Sequence, residues 1–169
     1  MKLFIIGLPG SGKSTLGEKL ANQLAIPFLD LDEVIEQSAG RPIREIFARQ
    51  GEEVFRKLEQ QSLRKVIDQN DTFVLATGGG APCFFNNLAA MNQAGTTLFL
   101  DVPVPIIIQR MQGNQITDRP LLHELDQDRL VEEYTAKFEK RLPTYRQAHF
   151  TISQNMTTDE ILALLSPRS

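Results

Sequence analysis

Gly7-Leu8-Pro9-Gly10-Ser11-Gly12-Lys13-Ser14-Thr15 follows the apolar run Leu3-Phe4-Ile5-Ile6 without a break, and its reading decides the fold. The stretch fits G-x-x-x-x-G-K-[ST], a pattern that sits between a strand and the helix it opens. Glycines let the backbone wrap closely around phosphate and take positive φ. The N–H groups then point at the positive end of a helix dipole, where an anion is favoured. In such a cradle Lys13 reaches the β- and γ-phosphates, and the Ser14 hydroxyl ligates Mg²⁺. Gly10, Ser11, Gly12, Lys13, Ser14 and Thr15 are therefore the expected ATP contacts. A glycine-rich turn that binds nothing is the plainer alternative, and the strand before and helix after argue against it. The motif specifies a nucleotide and magnesium, and leaves the phosphate acceptor open.

Outward from this stretch, apolar runs at 3–6, 73–76 and 97–102 read as buried parallel strands, with 26–29 and 150–152 as two edge strands. Helical patterns lie between them. Leu16, Leu20 and Leu24 share one face of a helix over 14–24. Longer charged amphipathic helices are expected over 52–67 and 128–141, and Thr157-Thr158-Asp159-Glu160 opens a last one with a threonine cap. Alternating strands and helices predict an α/β fold, a parallel sheet between two helical layers. Residues 112–127 are polar, carry Gly113, Asn114 and Pro120, and show no apolar period, so a long functional loop is expected there. No repeat or linker divides the chain, which reads as one domain over 1–169.

Composition excludes several classes. A net charge of −3 gives no global field for nucleic acid or an anionic membrane, although local Arg and Lys clusters can still bind anions. No run approaches the ~20 apolar residues of a membrane helix, and the first apolar run is too short for a signal peptide. Cys83 is the single cysteine, so an intramolecular disulfide is impossible, and it reads as a small buried residue. His123 and His149 lack partners at metal-ligand spacing, so zinc is not expected. The expectation is a reduced, cytoplasmic domain.

Further candidates lie where strands should end. In Asp30-Leu31-Asp32 alternate positions of an extended segment point the same way, so both carboxylates can face one cleft. The same residues would equally serve as a solvated turn with Asp32 capping a helix. Arg56, among Glu52, Glu53 and Glu59, reads on its own as a surface helix pair. Thr77-Gly78-Gly79-Gly80-Ala81 directly after a buried strand favours ligand contact through exposed backbone N–H groups. Arg119, in Asp118-Arg119-Pro120-Leu121-Leu122, is a cation on the polar loop, suited to neutralising charge on closure. Arg141 ends a long helix and could simply complement its dipole.

In this order the segments resemble shikimate kinases across nearly the whole chain: Gly7 to Thr15, Phe28-Leu29-Asp30-Leu31-Asp32, Gly51-Glu52 with Phe55-Arg56, Gly78-Gly79-Gly80-Ala81, Arg119-Pro120-Leu121-Leu122, and Lys140-Arg141 with Tyr145. The resemblance implies a P-loop NTP hydrolase-like, three-layer α/β/α fold with a five-stranded parallel sheet of order 2-3-1-4-5. It implies an acceptor-binding region over about 32–60 and a lid over about 112–125. It assigns catalysis to Lys13, Asp32 and Arg119, with Asp32 aligning the hydroxyl to be phosphorylated. Mg²⁺ falls to Ser14 and, through water, Asp30. Arg56 and Arg141 clamp the shikimate carboxylate, Gly78, Gly79 and Gly80 line the acceptor, and Phe47 and Phe55 form its apolar wall. Arg110 flanks adenine and Arg119 the transferring phosphate. The loop before the last helix, Ser153-Gln154-Asn155-Met156-Thr157, departs from the family in lacking a proline. The expected partners are ATP and shikimate, with no nucleic acid or membrane, and a monomer is expected. Another small P-loop kinase, for gluconate or a nucleotide, and a non-catalytic nucleotide switch are the alternatives.

Overall fold

The computed structural model describes residues 1–115 and 124–166. Its centre is β1 (Lys2–Ile6), flanked in parallel by β3 (Phe73–Ala76) and β4 (Thr96–Asp101), with Ile5 in register with both Ala76 and Leu98. β2 (Phe28–Asp30) and β5 (Phe150–Ser153) close the two edges, giving the order β2-β3-β1-β4-β5. Leu3 to Ile6 and Phe73 to Leu75 are fully buried, as expected of strands covered on both faces by helices. The inner strands hold continuous buried apolar runs, while β2 is only three residues long and half-buried and β5 alternates, which is why the inner strands read strongly from sequence.

Helix α1 (Lys13–Leu24) packs on β3 and against α7 (Thr158–Leu165), and α4 (Asn87–Ala94) packs on β4 and against α3 (Ile43–Gln69). Thr157 caps α7 as expected, in a capping box with Glu160. The second strand starts later than the 26–29 reading. Ala25 takes a left-handed conformation to close α1 and the Ile26 amide donates to the Ala21 carbonyl, so these residues finish the helix. The strand therefore ends on Asp30, and it is Asp30, not Asp32, that caps α2 (Leu31–Ala39). Its Oδ1 accepts from the amides of Asp32 at 2.9 Å and Glu33 at 3.4 Å.

The helix expected over 52–67 is the second part of α3, which is interrupted at Gly51 (φ 82, ψ 172). Of the loop expected over 112–127, residues 116–123 lie outside the described residues, and both flanks are helical. Residues 112–115 belong to α5 (Val104–Gln115) and 124–127 to α6 (Glu124–Tyr145). Val104, Ile107 and Ile108 anchor α5 on the core, and Gly113 meets nothing within 4 Å, so the helix carries through polar residues on the strength of its first turns. No described helix is long and apolar enough to cross a membrane.

Candidate active site

The loop after β1 is shaped by its glycines. Gly10 (φ 79) and Gly12 (φ 97) take left-handed conformations, and Gly12 is the N-cap of α1. Loop backbone folds back on itself: the Leu8 carbonyl accepts from the Ser11 amide at 3.2 Å and from Lys13 Nζ at 2.7 Å. Lys13 is 7% exposed, and burial pulls its ammonium down to about 8, against the attraction of Asp32 and Asp30. A buried cation in the first turn of α1 makes a strong anion seat. The cavity beside it, about 390 Å³, is lined by Lys13, Ser14, Asp30, Asp32 and Gly78 among others.

Ser14 Oγ donates to Asp30 Oδ2 at 2.8 Å, so the hydroxyl and the carboxylate meet at the rim of this cavity. Asp30 thus has two duties, one oxygen capping α2 and the other beside Ser14. Asp32 is half-buried, and desolvation followed by the Asp30 charge raises its carboxyl above the usual carboxylate range.

The triple glycine explains itself sterically. A Cβ at Gly78 would stand 3.0 Å from Asp32 Oδ1; one at Gly79, 2.9 Å from Arg141 Nη1; one at Gly80, 2.5 Å from Arg56 Nη2. Each glycine is the surface on which one candidate side chain rests. Asp32, Arg141 and Arg56, far apart in the chain, therefore converge along one strand end. Gly79 also admits Pro9, whose Cδ lies 2.5 Å from its Cβ direction, joining the phosphate loop to this seat.

Arg56 is not the surface pair its neighbours suggested. It is 8% exposed and donates from Nη1 to Glu59 Oε1 at 2.9 Å, while Glu52, well exposed, lies at 3.4 Å. Glu59 is 1% exposed; burial raises its carboxyl, and its second oxygen has no hydrogen-bond partner among the described residues. Sequence reasoning did not select Glu59. The available signal was its place on the apolar face of α3, with Phe55, Ser62, Leu63 and Val66, where a carboxylate needs a partner. Nor is Arg141 merely a dipole complement: its Nη1 is buried and lacks a hydrogen-bond partner among the described residues. Next to it Tyr145, fully buried, donates to the Gly79 carbonyl at 2.6 Å and stacks on Phe99. Phe47 and Phe55 stack with centroids 4.6 Å apart, Phe55 buried and Phe47 37% exposed.

Across the phosphate loop, a second cavity of about 650 Å³ is lined by Gly12, Thr15, Arg110, Gln154, Met156 and Thr157 among others. Arg110 spans it, donating to the Ser11 carbonyl at 3.3 Å and to Gln154 Oε1 at 2.9 Å. Arg119 lies outside the described residues. Cys83 is half-buried, with its thiol pushed up by desolvation, in keeping with an inert packing role.

A phosphate cradle that opens on one side toward a carboxylate and two guanidinium groups, and on the other toward a base-sized cavity, defines a P-loop kinase for a small molecule. Comparison with known proteins narrows that class. The family model for shikimate kinase matches residues 9–165, and the chain belongs to the shikimate kinase family. A shikimate kinase from Bacteroides fragilis is 43% identical over 150 residues, covering 89% of this chain and 83% of the relative. The crystal structure of a shikimate kinase from Bacteroides thetaiotaomicron superposes with a TM-score of 0.87 at 34% identity, covering 98% of both chains. A solved structure of a shikimate kinase from Acinetobacter baumannii in complex with shikimate gives 0.78 at 34% identity, over 97% of this chain and 89% of the other.

Proposed function

We propose that the chain transfers the γ-phosphoryl group of MgATP to the 3-hydroxyl of shikimate, giving shikimate 3-phosphate and ADP. The observation that carries this reading is the convergence of Asp32, Arg141 and Arg56 on Gly78, Gly79 and Gly80, beside the phosphate loop. Two guanidinium groups suit one planar carboxylate, and a carboxylate two glycines away suits a ring hydroxyl. The paired arginines would also take a gluconate carboxylate or a nucleotide phosphate, so the preference for shikimate over these alternatives rests on Asp32 with the triple glycine and on the family match over residues 9–165.

In this mechanism Arg56, held by Glu59, and Arg141 bind the acceptor carboxylate, while Phe55 and Phe47 exclude water from its ring. Asp32 accepts the hydroxyl hydrogen bond, and its raised carboxyl makes it a better proton acceptor than a solvated aspartate. Lys13 and the loop amides hold the β- and γ-phosphates, and Arg110 flanks adenine. Transfer is then mostly a matter of positioning and charge neutralisation. Ser14 and Asp30 fit Mg²⁺: they present hard oxygens side by side at the phosphate cavity. Among the described residues no cluster of three or more acidic, His or Cys side chains forms a dedicated cage, which suits an ion held largely by phosphate and water. Bound there, Mg²⁺ would neutralise phosphate charge. Residues 32–60 form the acceptor-binding region and 112–125 a lid that carries Arg119 to the transferring phosphate. The enzyme acts as a cytoplasmic monomer without nucleic acid or membrane partners.

ADP release by the purified protein, measured with shikimate, gluconate and nucleoside monophosphates in turn, tests this. Shikimate alone should accelerate release, and an absence of acceleration refutes the proposal.

A further inference from the structure

Phe84 has no part in the mechanism above, yet its ring is the aromatic face nearest to the acceptor guanidinium. Arg56 Cζ lies 4.2 Å from the Phe84 centroid, against 5.1 Å for Phe55. Phe84 leaves the short 3₁₀ turn Ala81–Cys83 in extended conformation (φ −120, ψ 148) and is half-buried. The two residues after it, Phe85 (φ 49) and Asn86 (φ 55), are both left-handed without being glycine. A bulky aromatic in that region is a backbone outlier and persists only where its surroundings impose it. Here Asn87, fully buried, pins the reversal: its side-chain amide donates to the Ala81 carbonyl at 2.9 Å and its backbone amide to the Phe84 carbonyl at 2.9 Å. The outcome is that Phe84 turns onto Arg56, while Phe85 stays 44% exposed.

We propose that Phe84 is a positioning residue of the acceptor pocket, whose ring face fixes the plane in which Arg56 meets the substrate carboxylate. The inference rests on the function proposed above. A guanidinium donates hydrogen bonds only in its own plane. Glu59 takes one in-plane donor at 2.9 Å, and the more distant, exposed Glu52 competes weakly for others at 3.4 and 3.5 Å. A ring face 4.2 Å from Cζ stabilises the buried cation through its quadrupole and is not among the oxygen acceptors that Arg56 bonds. The remaining in-plane donors are thereby left for an incoming carboxylate. An aliphatic side chain of similar bulk would fill the space but offer no quadrupole.

The test compares wild type, Phe84→Leu and Phe84→Tyr in steady-state assays with each substrate varied. Phe84→Leu should raise KM for shikimate roughly 3- to 30-fold, the factor such a contact is worth when partly desolvated. Its kcat and its KM for ATP should stay within about twofold of wild type, the split expected when the lost binding is equal in the ground and transition states. Phe84→Tyr keeps the ring and should match wild type. If Phe84→Leu does not fold, Phe84→Met supplies the same contrast between chain and ring. An unchanged shikimate KM in the aliphatic variant overturns the proposal, as does an equal loss in the tyrosine variant or an equal rise in both Michaelis constants. Wild-type protein without shikimate-dependent ADP release overturns the functional reading and this inference with it, whereas an active wild type with indifferent variants overturns this inference alone.

Discussion

Replacing Lys13 by Met should abolish phosphoryl transfer and, at the same time, remove a pH-dependent penalty on the stability of the nucleotide-free protein. The ammonium is buried against the Leu8 carbonyl, and burial lowers its proton affinity from 10.5 to about 8. Between those values the unfolded chain holds the proton more tightly than the folded one, so stability rises with pH. The stabilisation is complete above 10.5 and lost as pH falls through about 8. From pH 7 to pH 9.5 the linkage amounts to about 2 kcal/mol in the wild type. A methionine at position 13 has no such proton. Urea unfolding of both proteins at the two pH values, followed by far-UV circular dichroism without nucleotide, therefore gives a difference that moves by about 2 kcal/mol in favour of the wild type as pH rises. A difference that stays flat across this range refutes the account of Lys13 as a strained cation awaiting phosphate.

Two further substitutions probe the backbone. Gly51→Ala should destabilise by about 1–3 kcal/mol, because its φ/ψ region is essentially reserved for glycine; no neighbour lies within 4 Å of the added methyl, so urea unfolding would read a purely conformational cost. Gly80→Ala places a methyl 2.5 Å from Arg56 Nη2 and should raise KM for shikimate by at least about tenfold, the loss of one charged contact, while ATP binding measured by calorimetry is unchanged.

How far the sequence revealed these features depended on whether the cause was local. The phosphate loop was legible because a strand, glycines, Lys13 and Ser14 are contiguous, and the three inner strands because burial on both faces makes them continuously apolar. Asp30 and Asp32 were legible as a pair, and the resemblance gave one to Mg²⁺ and the other to the hydroxyl, but which of them caps α2 was not legible. That followed from where α1 ends, since the left-handed Ala25 delays the strand and puts Asp30 at the cap. Helix α5 was hidden because its outer half is polar and draws its order from Ile107 and Ile108 one turn earlier. Glu59 and Phe84 owe their significance to Arg56, one across a helical turn and the other across the fold, and proximity of the second kind leaves no periodic trace. The role of the triple glycine was expected from exposed amides, yet the structure adds a steric reason that only the three converging side chains supply.

The contact between Pro9 and Gly79 has a consequence for substrate alignment. The phosphate loop hangs from the end of β1 and the glycine seat from the end of β3, and these strands are hydrogen-bonded neighbours. Donor and acceptor platforms are therefore held apart by the lateral repeat of a sheet, about 4.8 Å between backbones. On the reading proposed above, peptide hydrogen bonding, common to every parallel sheet, becomes the ruler that gauges the gap between the two substrates.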